Sequence, residues 1–223
     1  VRDLAEVTLI THDRNRPALE KVREGHAIEY IAESNVIKAA YRLASRVSLS
    51  GGVNWPGLHA LSYPVYAEFN RRVFKRFAQG AAEGQFDLVH AITPILPRYP
   101  VKMVRACKKI PFVLGPVNGG VPFPEGFRAV GRKEYSYLNF LRHMTRLIPG
   151  YAATYRQADC ILAGSKYTRS LVMQKFGIDP AKVLLVHENG VRKEFVKPKK
   201  SMGKQRLELL FAGRLVPYKG ADI

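Results

Sequence analysis

Short apolar runs recur along this chain, and segments long enough for helices separate them. The runs cover residues 6–11, 27–31, 86–92, 111–115, 159–164, 182–187 and 207–213. Near-continuous apolar strands with helices between them are typical of a parallel sheet that is covered on both faces. The predicted fold class is therefore α/β, with a doubly wound, Rossmann-like parallel sheet.

The segments between these runs predict the helices. They cover residues 36–47, 63–82, 100–108, 133–158 and 166–176. We expect a break at Pro149-Gly150, because proline and glycine both interrupt helices. Gly177 should end the last helix, since glycine readily adopts the left-handed conformation found there, and Asp179-Pro180 should turn the chain.

The charge of the chain is its most unusual bulk property. Its 223 residues include 36 Lys and Arg against 18 Asp and Glu, which gives a formal net charge of +18. Such an excess favours anionic partners, whether phosphate groups, acidic lipids or nucleic acid. No run approaches the ~18–20 apolar residues that a membrane span needs. Cys107 and Cys160 are far apart in sequence, and we expect both to be reduced thiols.

The last predicted strand ends in a pair of cations beside glycines. Gly213-Arg214 follows the strand, and Lys219-Gly220 comes after a short turn. Arginine offers a planar fork of donors, lysine a compact charge, and glycines let backbone N–H groups approach phosphate oxygens. The arrangement suits a diphosphate. It also suits an ordinary turn with solvated cations, which many α/β proteins have.

A glycine-containing loop follows the predicted strand 111–115. Asn118 can donate to a hydroxyl or phosphate, and Gly119-Gly120 permit close approach of a ligand. In open α/β sheets ligands bind outside the carboxyl ends of strands, which is where this loop would lie. A simple chain reversal before Pro122 explains the same residues.

His90 lies near the end of the predicted strand 86–92. An imidazole at that edge could hydrogen-bond a ligand hydroxyl or transfer a proton. A single histidine on an apolar strand is more often a core residue whose ring nitrogens are satisfied. It is a weak candidate for catalysis.

The motifs together resemble those of family 4 glycosyltransferases, which have the GT-B fold. Gly213-Arg214-Leu215 with Lys219-Gly220 is similar to the G-R-L-x-x-x-K-G signature of that family. The preceding landmarks agree in order: Asp159 with Ser165, Phe176-Gly177, Asn189-Gly190-Val191, and Phe195 with Pro198. The Asp87–His90 and 115–120 segments resemble two landmarks further upstream. The resemblance covers most of residues 86–223 and only loosely what precedes them.

The resemblance implies a division of the chain. Residues 1–192 would form the Rossmann-like acceptor-side domain, 193–206 a linker, and 207–223 the first strand and turn of a truncated donor-binding domain. The run 6–11 is similar to the second strand of the family's first domain, so we expect that a first strand and its glycine-rich loop are missing. The paired glutamates that hold the donor sugar would follow Ile223. We therefore expect these 223 residues alone to transfer no sugar.

The implied activity is transfer of a sugar from a nucleoside-diphosphate sugar to an acceptor hydroxyl, with retention of configuration. Gly213, Arg214, Lys219 and Gly220 would bind the donor diphosphate in place of a metal, so neither metal nor other cofactor is expected. Asn118, Gly119, Gly120 and His90 would border the acceptor side of the cleft. Some family members carry an active-site histidine two positions further on, where this chain has Ile92.

The remaining partners follow from the basic surface. Arg71, Arg72, Lys75 and Arg76 share one face of a predicted helix, opposite Phe69, Val73 and Phe77, and residues 132–156 interleave cations with aromatics. Such surfaces suit an anionic membrane, and nucleic acid ranks lower because no nucleic-acid-binding motif is present. We expect a cytoplasmic enzyme of polysaccharide or glycolipid synthesis, peripheral on the inner face of the membrane. The alternative is a non-catalytic basic α/β module that binds anionic lipid or nucleic acid.

Overall fold

The computed structural model is a mixed α/β fold whose strands are all parallel, which confirms the predicted class. It describes residues 4–23, 25, 27–49, 55–92, 99–119, 125–133 and 145–187. Within these residues the strands are β1 Thr8–His12, β2 Ala27–Ile31, β3 Val89–Ala91, β4 Phe112–Val117, β5 Cys160–Ala163 and β6 Val183–Leu185. Each of them falls within or overlaps a predicted run.

The described strands form two parallel sheets rather than one. β1 pairs with β2 from Thr8 opposite Ala27 to His12 opposite Ile31. The other four strands pair in the order β3-β4-β5-β6. Sequence periodicity predicts parallel strands but carries no information on where hydrogen bonding between neighbours is interrupted.

The described helices are α1 Arg16–Leu19, α2 Asn35–Leu49, α3 Trp55–Glu83, α4 Arg128–Lys133, α5 Tyr151–Arg156 and α6 Lys166–Phe176. The bounds of α6 match the prediction. Gly177 closes this helix with a φ of +65°, and Ser165 caps its start by accepting a hydrogen bond from Thr168 N at 3.1 Å. A short 3₁₀ turn, Pro180–Lys182, follows the predicted Asp179-Pro180 turn.

The amphipathic prediction for α3 is confirmed. Val73 is buried, and Phe69 and Phe77 pack against the core. Two of the four predicted surface cations are ion-paired, because Arg72 binds Glu68 and Arg76 binds Glu29, each at 2.5 Å. The basic face is therefore less free to bind a partner than the sequence suggests.

The predicted helix over 100–108 is wrong. The structure has only a short 3₁₀ segment there, Lys102–Arg105. The backbone at its start bonds to side chains of α3 and α5 instead: Asn70 bridges Pro100 O and Lys102 N, and Thr154 Oγ1 accepts from Val101 N. Side chains distant in the sequence thus satisfy the backbone groups at the start of this segment.

The predicted helix over 133–158 is also corrected. α4 ends at Lys133 rather than beginning there, and the described part of the remainder holds a 3₁₀ turn at Thr145–Leu147 followed by α5. The expected break at Pro149-Gly150 is confirmed. Gly150 precedes α5 with a φ of +85°, a conformation that suits glycine and starts the new helix in a new direction.

The core lies around β4 and β5. Phe112, Leu114 and Ile161 are at most 1% exposed. An aromatic cluster contributed by α5 and α6 belongs to the same core, with the rings of Tyr155 and Phe176 stacked at a centroid distance of 4.1 Å. This buried scaffold fixes the positions at which β4 and β5 end, and hence the loops that follow them.

Candidate functional site

The predicted loop after β4 is anchored to the first turn of α6. Asn118 Oδ1 accepts a hydrogen bond from Gly119 N at 2.7 Å, and the fully buried Thr168 donates from Oγ1 to Gly119 O at 3.1 Å. Gly119 has a φ of +116°, which favours glycine. The loop is therefore a fixed turn at the carboxyl end of β4. The third predicted residue, Gly120, lies outside the described residues.

His90 lies on β3 and is exposed rather than buried in the core. Its Nε2 lies 2.7 Å from Gly115 O. Because a carbonyl oxygen only accepts, Nε2 carries the proton and the Nδ1 atom of a neutral ring is left as an acceptor. His90 thus links β3 to β4 and keeps one ring nitrogen for another partner.

Gly115 serves the packing of β4 against β5. Its φ is +128°, and a Cβ added there would lie 2.5 Å from Leu162 O. No side chain fits at this position without moving the backbone of β5. This glycine is required by close contact between two strands.

Two polar residues of the family-like landmarks have structural roles. Asp159 Oδ2 accepts from Phe112 N at 2.8 Å, and Asp159 N donates to Phe112 O at 3.0 Å. Asp159 thereby joins the beginnings of β4 and β5, while Ser165 caps α6. Their presence in the motif is explained by the fold.

Sequence reasoning missed a polar cluster at the carboxyl ends of β1 and β2. His12 is the last residue of β1, Arg14 follows it, and Glu33 follows β2. His12 Nδ1 lies 2.7 Å from Glu33 Oε1, and Arg14 Nη2 pairs with the same oxygen. The Glu33 side chain is only 7% exposed, and the positive charge of Arg14 compensates its negative charge.

The His12 ring is held in place and uncharged near neutral pH. It stacks on Phe69 at a centroid distance of 4.1 Å. Burial and the positive charge of Arg14 lower the pKa of His12, and the opposing effect of Glu33 does not cancel them. A neutral imidazole can donate from one nitrogen and accept at the other.

A second carboxylate ties β2 to α3 beside this cluster. Glu68 accepts from Ser34 Oγ at 2.9 Å and from Arg72 Nε at 2.7 Å. Burial by itself would raise the pKa of Glu68, but the hydrogen bonds from Ser34 and Arg72 outweigh it, so the pKa lies below its ordinary value. Glu68 therefore stays ionised and holds α3 against the end of β2.

The cluster borders a cavity of about 290 Å³ that is largely open to solvent. Its lining residues are His12, Arg14, Asn15, Tyr41, Ser62, Val65 and Tyr66. The Arg14 guanidinium carbon lies 3.8 Å from the centroid of the Tyr41 ring, and Tyr66 donates from its hydroxyl to Pro100 O at 3.0 Å. The volume is near the lower end of that of small-molecule sites, and the cavity combines aromatic walls with a few polar groups, as such sites do.

The comparison with protein families decides what this domain is. A family model described as Glycosyltransferase Family 4 matches residues 2–195. The chain belongs to glycosyltransferase family 4. This confirms the family predicted from the motifs, and it extends the match through β1 and β2, which the motifs covered only loosely. No curated protein and no solved structure matches the chain.

The donor-side motif of this family 4 chain is not tested by the structure. Gly213, Arg214, Lys219 and Gly220 lie outside the described residues, as do the predicted linker 193–206 and strand 207–213. Their roles stay predictions.

Other chemical features of the family 4 domain add little to the site. Among the described residues, no three His, Cys, Asp or Glu side chains are grouped so as to hold a metal ion. Cys107 and Cys160 are free thiols, and burial together with the nearby Asp159 charge raises the pKa of Cys107 to about 11, which makes it a poor nucleophile. None of the described helices is long and apolar enough to cross a membrane.

One signal in the sequence could have indicated the cavity. His12-Asp13-Arg14-Asn15 is a run of four polar residues directly after an apolar strand, and ligands bind at the carboxyl ends of parallel strands. The partners of these residues on α2 and α3 are 26 or more positions away, since Tyr41 is the nearest of them. No local spacing pattern connects them.

Proposed function

We propose that this chain provides the acceptor side of a glycosyltransferase that transfers a sugar from a nucleoside-diphosphate sugar to an acceptor hydroxyl with retention of configuration. The match to family 4 over residues 2–195 carries the proposal. The cavity at the carboxyl end of β1 supports it, because open α/β sheets bind ligands at that edge. The net charge of +18 supports an acceptor at an anionic surface, as in cell-surface polysaccharide or glycolipid synthesis.

The donor diphosphate is assigned to the motif at the end of the chain. Arg214 and Lys219 would stabilise the negative charge that develops on the leaving diphosphate, and Gly213 and Gly220 would let the backbone approach its oxygens. The two cations would take the place of the metal ion that other phosphate-transfer sites use, so we propose that no metal or other cofactor is required.

The acceptor side is assigned to the loops after β3 and β4. The anchored turn would place the side-chain Nδ2 of Asn118 towards the acceptor, because Gly119 N already donates to Asn118 Oδ1. Gly119 and Gly120 would permit close approach of the acceptor. His90 would offer its Nδ1 atom to an acceptor hydroxyl, because its Nε2 is already bonded to Gly115 O. His90 would thereby orient the hydroxyl, and the fixed turn would limit its movement.

The decisive experiment is donor turnover by the full-length protein. The protein would be incubated with UDP-, GDP- and ADP-sugars and a set of hydroxylated acceptors, and release of nucleoside diphosphate would be measured. We expect release from one donor class, and the anomeric configuration of the product, determined by NMR, should equal that of the donor. Absence of release from every donor, with or without acceptor, would contradict the proposed function.

The role of the two cations is tested by substitution. Arg214→Ala should lower kcat by about 10²-fold, since loss of one fixed transition-state donor has an effect of that order. Lys204→Ala, a cation in the predicted linker, serves as the matched control and should leave kcat unchanged. Equal effects of both variants would mean that Arg214 has no special relation to the diphosphate.

A second function is favoured by the excess of cations over anions. A basic α/β module could bind anionic lipid without catalysis, and a catalytic protein could use the same surface to lie on the inner face of the membrane from the cytoplasm. Sedimentation with phosphatidylglycerol vesicles should show binding that weakens with salt, whereas phosphatidylcholine vesicles and duplex DNA should bind far less. Vesicle binding without any donor turnover would favour the non-catalytic module.

A further inference from the structure

The cavity at the end of β1 contains none of the residues that the family-like motifs indicate. Its walls come from three sources: the turn after β1, the middle of α2, and α3 around Ser62 and Tyr66. Because β1 and β2 are parallel and His12 ends β1, the cavity opens at the carboxyl edge of their sheet. This is the edge at which ligands of open α/β sheets bind.

The charges around the cavity favour an uncharged ligand. Arg14 is the cation among the lining residues, and its guanidinium is paired with Glu33. His12 is neutral near pH 7, since burial and Arg14 lower its pKa. An anionic ligand would therefore find little uncompensated positive charge here, despite the high charge of the whole chain.

The shape and polarity of the walls fit a sugar ring. Tyr41 and Tyr66 supply aromatic rings, although the Arg14 guanidinium covers one face of Tyr41 and the Tyr99 ring stacks on Tyr66. Asn15 and Ser62 supply hydrogen-bonding groups. A pyranose presents a C–H face that packs on aromatic rings and a rim of hydroxyls that needs donors and acceptors. The cavity volume of about 290 Å³ leaves room for one pyranose ring.

His12 gives the cavity a polar group. Its Nδ1 lies 2.7 Å from Glu33 Oε1 but makes no hydrogen bond to a described residue. Phe69 stacks on the imidazole and fixes its plane, and the side chain keeps 22% of its surface exposed where it lines the cavity. A neutral imidazole donates from one ring nitrogen and accepts at the other, so His12 can hydrogen-bond a ligand hydroxyl in either role.

We propose that this cavity binds one uncharged saccharide ring of the acceptor, with Tyr41 as its aromatic wall and His12 as a positioning residue that forms a hydrogen bond with a ring hydroxyl. The proposal rests on the proposed function, because it takes the ligand to be the acceptor of a sugar transfer. It assigns recognition of the acceptor sugar to the β1–β2 region. The transfer itself is left to the loops after β3 and β4.

Direct binding is the first test. Saturation-transfer NMR with the full-length protein would use the methyl glycosides of glucose, galactose, mannose and N-acetylglucosamine, with glucose 1-phosphate as the anionic probe. We expect one or more glycosides to bind and the phosphate to bind more weakly. Tyr41→Ala should weaken glycoside binding at least about fivefold.

Tyr167→Ala is the matched control for that substitution. Both tyrosines lie on helices and are similarly exposed, Tyr41 by 40% and Tyr167 by 45%, but Tyr167 is on α6 and does not line the cavity. Tyr167→Ala should leave binding unchanged. If no glycoside binds, or if both variants weaken binding equally, the proposal is overturned.

A kinetic test separates positioning from structural support. His12→Gln should raise KM for the acceptor several-fold while kcat changes little, with an unchanged melting temperature as the check on folding. In the unsubstituted protein, the KM for the acceptor should rise as the solution is acidified, because His12 becomes protonated. The charged groups that act on His12 are Arg14, Glu33 and Glu68. The His12→Gln variant should lack this rise, and a rise of equal size in both proteins would overturn the role of His12.

The two proposals fail in different ways. If the full-length protein turns over a donor but Tyr41→Ala keeps the normal acceptor KM, the cavity proposal falls and the proposed function stands. If no donor is consumed but a glycoside binds and Tyr41→Ala abolishes that binding, the cavity is a saccharide site and the assignment of sugar transfer falls.

Discussion

The two described sheets differ in what their side chains do. In the β3–β6 sheet, Phe112, Leu114 and Ile161 are at most 1% exposed. In the β1–β2 sheet no residue of β1 is buried, and Ile31 at the end of β2 is. The buried sheet is a scaffold, whereas the exposed sheet ends in a cluster of charged and aromatic groups around a cavity.

The difference shows that the residues of the recognisable motifs and the polar residues that line the cavity are in different places. In the buried sheet, Asp159, Ser165 and the oxygen of Asn118 bond to the backbone and define turns and helix starts. At the end of β1, His12 and Arg14 have no signature spacing, yet they line the cavity. A motif residue can therefore mark the fold, while an unremarkable one lines the site.

The largest expected effect tests the scaffold. Gly115→Ala should destabilise the protein by about 3–5 kcal/mol, because the added Cβ would lie 2.5 Å from Leu162 O and the φ of +128° strains any side chain. Urea unfolding measures the change. Gly84→Ala, also at positive φ but with open space around it, should have an effect of only about 1–2 kcal/mol. Similar values for both would mean that β4 and β5 are not in close contact.

The next effect tests the charged cluster. Glu33→Ala leaves Arg14 without its ion-pair partner, and we expect a loss of about 2 kcal/mol in the free energy of unfolding. Glu29→Ala breaks the exposed pair with Arg76 and should change stability by less than about 1 kcal/mol. If removing Glu33 has no larger effect than removing Glu29, the cluster at the cavity is not a structured unit.

A smaller effect tests the capping role of a motif residue. Ser165→Ala removes the oxygen that accepts from Thr168 N, and it should lower stability by about 1 kcal/mol. Ser170→Ala, at an exposed position within α6, should be neutral or slightly stabilising, since alanine favours helix. The two variants are compared by thermal unfolding. A neutral Ser165→Ala would leave Ser165 free for a role in the site.

The smallest effect is a change with pH. His12 has a lower pKa in the folded chain than its ordinary value of 6.5, so the folded state binds fewer protons than the unfolded state as pH falls towards and below 6.5. Its contribution to stability is therefore present above that pH and is lost on acidification. The melting temperature of the wild type should fall more steeply below about pH 6.5 than the melting temperature of His12→Gln. Parallel curves would contradict the lowered pKa.

Local patterns were sufficient for much of the fold. The bounds of α6, the left-handed Gly177, the apolar face of α3 and the break before α5 all follow from spacing and from the conformations of glycine and proline. The segment 100–108 was mispredicted, because its backbone bonds to Asn70 and Thr154, which are 30 or more positions away. No local sequence pattern predicts hydrogen bonds between residues that are so far apart in the chain.

The candidate site divides in the same way. The loop at Asn118 and Gly119 was found because it follows a clear strand, and the family was found because its landmarks occur in order along the chain. The cavity was not found, because it exists only when the end of β1 meets two helices that begin later in the sequence. Its polar residues taken one at a time are indistinguishable from surface residues.

The sequence by itself determined the α/β class, the parallel strands and membership of glycosyltransferase family 4, since these depend on residue order and short-range periodicity. Only the tertiary structure decided that Asp159 and Ser165 are structural, that His90 is bonded to Gly115 O, and that the cavity forms at the end of β1. The physical reason is distance along the chain. Hydrogen-bond partners and cavity walls are contributed by segments that the sequence separates and that only packing brings together.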